Sequence, residues 1–227
     1  TFGGVEEIFA EKKILIDRAE KKAICGAEVY ADFGDKLSAE EMKKCVFVPA
    51  GAASDVGGFP LKTTFKLNLC AGGTAEERHV EMPVLGRGAA ENAALAVKTV
   101  RLLFPGIETA HIRSALFSAG WAGRFQLLHK DPDVIVDGAH NREGVEALCE
   151  TLRGMPVDTV IFSVLKDKEC GRMIETIRQV CRHLILCSFE QGRLADLQSL
   201  AHQHGLPLAH DLRTVLKARM ACDSRIV

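Results

Sequence analysis

Five consecutive positions join a carboxylate, a flexible turn, an imidazole and an amide: Asp137-Gly138-Ala139-His140-Asn141. They follow the apolar Val134-Ile135-Val136, which reads as a buried strand, and precede Glu143 to Arg153, which reads as a helix. An open parallel sheet binds its ligands in such a place, beyond the carboxyl end of a strand and at the start of a helix. Asp137 can accept hydrogen bonds from a pair of hydroxyls there. Gly138 permits a tight turn and a close backbone approach. His140 and Asn141 stand at the positive end of the following helix, where free N–H groups and the dipole favour a phosphate. A plainer reading has equal standing on spacing alone: an Asx-type turn with Asn141 as helix N-cap, worth about 1 kcal/mol.

Other residues offer chemistry with less support from their surroundings. Arg124 follows Trp121-Ala122-Gly123, where a guanidinium could clamp a phosphate bidentately or simply sit on the surface. Asn92 lies early in an alanine-rich helical stretch, and its amide could pair with a purine edge; a solvated amide is the commoner role. Lys166-Asp167-Lys168 follows a buried strand and reads equally as a charged turn. Glu11-Lys12-Lys13 looks like an ordinary charged helix end. No Gly-x-x-x-x-Gly-Lys-[Ser/Thr] phosphate loop occurs in the sequence.

The elements that must carry these groups change texture along the chain. Glu6 to Ile16 reads as a helix, with Ile8, Phe9, Lys12 and Ile16 near one face. Residues 23–63 mix short apolar runs with glycines and yield no assignment. Phe65 to Leu69 and His79 to Val84 read as a hairpin around a loop carrying Gly72 and Gly73. Ala89 to Phe104 is a strong helix ended by Pro105-Gly106, and a second runs from Thr109 to Ser118. After Gly123 strand and helix alternate: Thr159 to Leu165, Met173 to Arg182, Leu184 to Cys187, Ala195 to His204, Thr214 to Ala221, then Ile226 onward. That alternation predicts a parallel sheet covered by helices, with a boundary near Trp121.

Composition limits the alternatives. The 227 residues suffice for one large domain or two small ones, and 47% are apolar against 26% charged, which excludes a disordered chain. A formal net charge of −1 supplies no general field for a nucleic-acid backbone. No apolar run approaches the roughly 20 residues of a membrane span. No leader pattern is read at the start, so an intracellular, cytoplasmic location is expected. The eight cysteines form no Cys-x-x-Cys pair, and neither they nor the eight histidines have the short spacing of a zinc site. Reduced thiols are expected. The start at Thr1 and the stop at Ile226-Val227, which reads as a strand opening, suggest a piece of a longer protein.

Taken in order, the motifs resemble the folylpolyglutamate synthase/dihydrofolate synthase family of the Mur ligase superfamily. Phe2-Gly3-Gly4-Val5-Glu6-Glu7-Ile8 with Glu11-Lys12 is similar to the family segment ending Glu-Lys-Ala-Gly-Ile. Leu85-Gly86 with Glu91-Asn92-Ala93-Ala94 resembles Leu-Gly-x-His-Gln-x-x-Asn-Ala-Ala. Trp121-Ala122-Gly123-Arg124-Phe125 is similar to Trp-Pro-Gly-Arg-Leu/Phe, and Asp137 to Asn141 is identical to the family's most specific run. Leu165 to Lys168 and Arg193-Leu194-Ala195 resemble later family segments.

The resemblance implies an α/β fold: residues 1–120 as the later part of a Mur-ligase central ATPase domain, and 121–227 as a Rossmann-like C-terminal domain with a mostly parallel sheet. It implies ATP-dependent addition of L-glutamate to folate or dihydropteroate through an acyl phosphate, with Mg2+, in a monomer that binds neither nucleic acid nor membrane. By the same resemblance Asn92 pairs with adenine, Arg124 binds phosphate, Asp137 contacts the ribose with Asn141 beside it, and His140 lies near the transferring phosphate. Lys12 matches a lysine that is carbamylated in the superfamily, and a carbamate could hold a metal ion. The chain departs from the pattern at Gly88 and Ala89 for His-Gln, Lys13 and Ile14 for Ala-Gly, and Ala122 and Arg142 for prolines. The first of these counts most against full activity. Two other readings follow: a Mur-type amide ligase with different substrates, or a non-catalytic nucleotide-binding remnant.

Overall fold

The structure, a computed structural model, describes residues 4–57, 62–69, 76–84, 86–166, 169–189 and 195–227. Phe2, Gly3, Gly72, Gly73, Leu85, Asp167, Lys168, Arg193 and Leu194 lie outside those residues. The chain divides into two compact units. The first takes residues 1–57, 63–82 and 88–119, and the second takes 58–62, 83–87 and 120–227.

The first unit contains α1 (Val5–Arg18), β1 (Ala23–Gly26), α2 (Ala27–Phe33), α3 (Ala39–Lys44) and β2 (Cys45–Val48). These are followed by β3 (Ala53–Gly57), β4 (Thr63–Leu69), β5 (Glu76–Met82), α4 (Arg87–Leu103) and α5 (Thr109–Phe117). β1 and β2 pair in parallel, while β3, β4 and β5 form an antiparallel sheet in that order. Phe65 opposite Val80 fixes the hairpin register and buries both, which agrees with the alternation read in the sequence.

The face of α1 differs from its sequence reading. Phe9 and Ile16 turn inward, whereas Ile8 and Lys12 are exposed. Successive helical residues lie about 100° apart, so the pair Ile8-Phe9 leaves the buried stripe undefined by one position. The Phe33 ring settles it, stacking on Phe9 with centroids 4.0 Å apart.

Lys13, beside the exposed Lys12, pairs with Glu41 and lies 3.5 Å from Asp17. Glu41 also closes a capping box at the start of α3: its amide donates to the Ser38 hydroxyl, and its carboxylate accepts from the Ser38 amide. The Lys13 ammonium and then the Ser38 amide hold the Glu41 carboxyl down to about 2, against its ordinary 4.5. A depressed folded pKa contributes stability that is complete above the unfolded value and lost as pH falls through the folded one. The first unit is therefore expected to weaken between pH 4.5 and 2. Acid unfolding of Glu41→Gln should be flatter over that window, and a parallel curve would remove Glu41 as the responsible group.

The second unit contains β6 (Gln126–His129), β7 (Asp133–Val136), α6 (Arg142–Leu152), β8 (Thr159–Phe162) and α7 (Cys170–Arg178). Then come β9 (His183–Cys187), α8 (Leu197–His204), β10 (Leu208–Ala209), α9 (Leu212–Met220) and β11 (Arg225–Ile226). Six strands form one sheet in the order β10-β9-β8-β11-β7-β6. Every neighbouring pair is parallel except β6 with β7.

Helices α6 and α7 close one core over this sheet. Val145, Cys149 and Leu152 from α6 and Met173, Ile174 and Ile177 from α7 pack with Val160, Phe162, Leu184 and Leu186 from the strands. Strand β11 enters the middle of the sheet, with Ile226 paired to both Val134 and Thr159. Arg225 secures it through Asp133 at 2.8 Å. The strand read as Thr159 to Leu165 stops at Phe162, and β6 and β10 are additions to the sequence reading. Among the described residues no helix is long and apolar enough to cross a membrane.

Candidate functional site

In the second unit, Trp121 to Phe125 and Asp137 to Asn141 are drawn together although more than ten residues separate them. The first segment turns sharply: Gly123 and Phe125 both take positive φ, at 69° and 44°, with Arg124 between them. Glycine meets that geometry without penalty, but phenylalanine does not. Two contacts hold Phe125 there. Its side chain is buried in the core, and its amide donates to Asp137 Oδ2 at 2.8 Å. The Gln126 side chain accepts from the Gly123 amide at 2.9 Å and closes the turn from the other side.

Asp137 is the joint between the segments. Its Oδ1 accepts from the Ala139 amide at 2.8 Å while Oδ2 holds Phe125. A carboxylate has about four acceptor sites, so two amides leave room for a pair of hydroxyl donors. Gly138 lies so close to the first segment that an added Cβ would stand 3.3 Å from the Gly123 carbonyl oxygen and 3.9 Å from an Arg124 guanidinium nitrogen. The glycine is there because a neighbouring backbone needs its space.

The remaining polar groups face solvent around this joint. Asn141 caps α6, its Oδ1 accepting from the Gly144 amide at 3.0 Å. The capping role read in the sequence is thus present, and it leaves the first-turn amides of α6 at the positive helix end. His140 is exposed, with Nδ1 2.9 Å from the Gly138 carbonyl. A carbonyl only accepts, so Nδ1 donates, and in the tautomer that this bond selects Nε2 is the acceptor. Arg124 is exposed and makes no ion pair among the described residues. Beside it opens a cavity of about 360 Å³ bordered by Pro83, Val84, Trp121, Phe125 and Ile135.

The structure places Arg124, Asp137, His140 and Asn141 in the second unit, and Lys12 on α1 and Asn92 on α4 in the first. Lys12 and Asn92 are both exposed. Among the described residues no group of three or more His, Cys, Asp or Glu side chains could hold a metal ion. On their own, these residues do not close a magnesium site around Lys12. The sequence reading missed Phe125 and Gln126 as supports of the site. Only the glycine before Arg124 signalled a turn there.

A parallel sheet with its polar turn at a strand's carboxyl end places the second unit among the Mur-type ligase domains: residues 123–224 match the family model for the Mur ligase, glutamate ligase domain. Over 128 residues the chain is 34% identical to the dihydrofolate synthase/folylpolyglutamate synthase of Bacillus subtilis, covering 53% of this chain and 30% of that protein. It is 28% identical to the Mycobacterium tuberculosis protein described in the same words, covering 63% of this chain and 31% of the relative. The second unit thus matches a Mur ligase domain, and the relatives that the chain resembles are dihydrofolate and folylpolyglutamate synthases.

The fold agrees over a longer stretch. The M. tuberculosis folylpolyglutamate synthase complexed with ADP and AMPPCP superposes with a TM-score of 0.80 at 18% identity, over 100% of this chain and 57% of that one. E. coli FolC in complex with DHPP and ADP gives 0.76 at 24% identity, over 100% and 54%. The chain thus spans a little over half of these solved structures, and its aligned part covers about a third of the curated relatives.

Proposed function

We propose that this chain carries part of an ATP-dependent ligase that adds L-glutamate to folate or dihydropteroate. Residues 1–120 contribute the later part of its central ATPase domain, and 121–227 its C-terminal ligase domain. The reading rests on one observation above the rest: Asp137 and Gly138 bind the Arg124 turn, so a hydroxyl acceptor, a guanidinium and an imidazole share one surface. ATP enters as its magnesium complex. The substrate carboxylate attacks the γ-phosphate, forming an acyl phosphate and ADP. The glutamate amine then attacks the acyl carbon, loses a proton and expels phosphate.

Three of the residues have roles that their geometry supports. Asp137 keeps acceptor capacity for the ribose hydroxyls. Arg124, unpaired by any carboxylate among the described residues, offers its fork to phosphate oxygens. His140 presents Nε2 to a proton near the transferring phosphate. The roles of Asn92 toward adenine and of Lys12 as a carbamate rest on the resemblance alone.

The test is folate- or pteroate-dependent ADP release with glutamate, using this sequence joined to the remaining part of the length its relatives have. Arg124→Ala and His140→Ala should each lower the rate about 100-fold or more. An unchanged rate would remove both roles. Calorimetry of the chain itself with Mg-ATP and glutamate separates the readings further. Glutamate binding without turnover in the longer protein would favour the non-catalytic one.

A further inference from the structure

A pair of thiols in the first unit stands apart from the ligase site. Ala23 and Cys25 of β1 and Cys45 and Phe47 of β2 share one face of the parallel pair, in the register Ala23 with Cys45 and Cys25 with Phe47. The two cysteines are diagonal neighbours on that face. The Cys25 thiol points at Cys45, with the sulfurs 3.9 Å apart. Cys25 is buried and Cys45 half-buried. Ile16, Leu37, Val29, Phe9 and Met42 complete an apolar cluster with them.

The register decides what such a pair can do. Parallel strands lie about 4.8 Å apart and two residues rise about 6.6 Å, so the Cα atoms of these diagonal neighbours are about 8 Å apart. A disulfide needs about 4.4–6.8 Å, so direct closure would require the strands to shift. An atom inserted between the sulfurs removes that requirement. Two sulfurs 3.9 Å apart leave room for one metal ion bound to both at about 2.3 Å. Zinc would need four donors, and no group of three His, Cys, Asp or Glu side chains exists among the described residues. Two soft thiolate donors in an apolar shell suit a low-coordinate monovalent ion instead.

We propose that Cys25 and Cys45 form a binding site for one Cu(I) ion, held by the two sulfurs beneath α1. On binding, both S–H bonds release their protons to solvent and two Cu–S bonds form, with no change of oxidation state. Without metal, burial and the neighbouring Cys45 push the Cys25 thiol up to about 11. Binding is therefore pH-dependent and favoured by alkaline solution.

The experiment titrates the whole 227-residue chain, reduced and without oxygen, with Cu(I) buffered by a bicinchoninate competitor. One equivalent should bind ahead of the other thiols, release two protons and show a first shell of sulfur alone by X-ray absorption. Cys25→Ser and Cys45→Ser should each weaken that equivalent by about 100-fold or more, whereas Cys222→Ser, at an exposed position, should leave it in place. Because a serine variant could fail to fold, the wild-type chain is also alkylated with and without Cu(I). Peptide mapping should find Cys25 and Cys45 protected by the ion. A tight equivalent retained in both variants, oxygen or nitrogen in the first shell, or no protection of the pair would overturn the site. So would a Cys25–Cys45 disulfide formed readily with diamide, which would make the pair a redox couple.

Discussion

A chain lacking residues 224–227 is expected to lose the cooperative unfolding transition of its second unit at 25 °C. Those four residues hold the middle of the sheet. The Ser224 and Arg225 carbonyls accept from the Asp133 and Asp158 amides at 2.9 and 3.1 Å. Val227 accepts from the Ile161 amide at 2.8 Å and donates to the Thr159 carbonyl at 2.9 Å. Asp158 receives the Ser224 and Arg225 amides on one oxygen and Arg182 on the other. Ile226 is 1% exposed. Truncating a buried isoleucine to alanine costs about 2–5 kcal/mol, and each lost backbone bond about 1 kcal/mol. The total is comparable with the whole stability of a domain, about 5–15 kcal/mol. Ile226→Ala alone should retain the transition with a lower urea midpoint. Urea melts followed by circular dichroism compare the three chains, and an unchanged midpoint in the shortened one would refute the joining role of β11.

Asp137→Ala should destabilise the second unit by about 3 kcal/mol even without ligand, because two amides lose a charged acceptor. The loss reaches beyond the carboxylate. Phe125 at φ 44° loses the bond that helps hold it in the left-handed region, and Arg124 precedes it directly. Asp137→Asn keeps one oxygen but turns an NH2 toward an amide donor, so it should recover only part of the stability. Nucleotide affinity should fall in both variants, measured by calorimetry at a temperature where each is folded. If Asp137→Ala melted like the parent while losing nucleotide affinity, the carboxylate would serve the ligand alone.

Much of this architecture is legible in the residues, for physical reasons that vary along the chain. Val134, Ile135 and Leu184 to Cys187 are buried in a mostly parallel sheet and therefore read as apolar runs, whereas Val136, read with the first of them, is exposed. β6, with Gln126 and His129 around two leucines at the sheet edge, has neither alternation nor a full apolar run. β10 is two residues long, too short for any period. Between residues 23 and 48 the elements are four to seven residues apart from a single helical turn of three, so neither period completes itself. At the site, the Asn141 cap follows from local spacing. The bond from Phe125 to Asp137 does not, since it depends on a positive φ at a residue type that seldom adopts one.

The place of β11 also governs when the second unit can take shape during synthesis. β6 and β7 lie on one side of it, and β8, β9 and β10 on the other. Arg225 meets Asp133 across 92 intervening steps of chain. At about 5–20 residues per second, a ribosome takes roughly 5–20 s to cover that distance. During that interval β8, β9 and β10 are added without being joined to β6 and β7, and the edges of β7 and β8 that β11 will fill have no partner. Folding of this unit is thus deferred until β11 emerges, and Val134, Ile135 and Val160 pass through the period in which a growing chain is most exposed to aggregation and to chaperones.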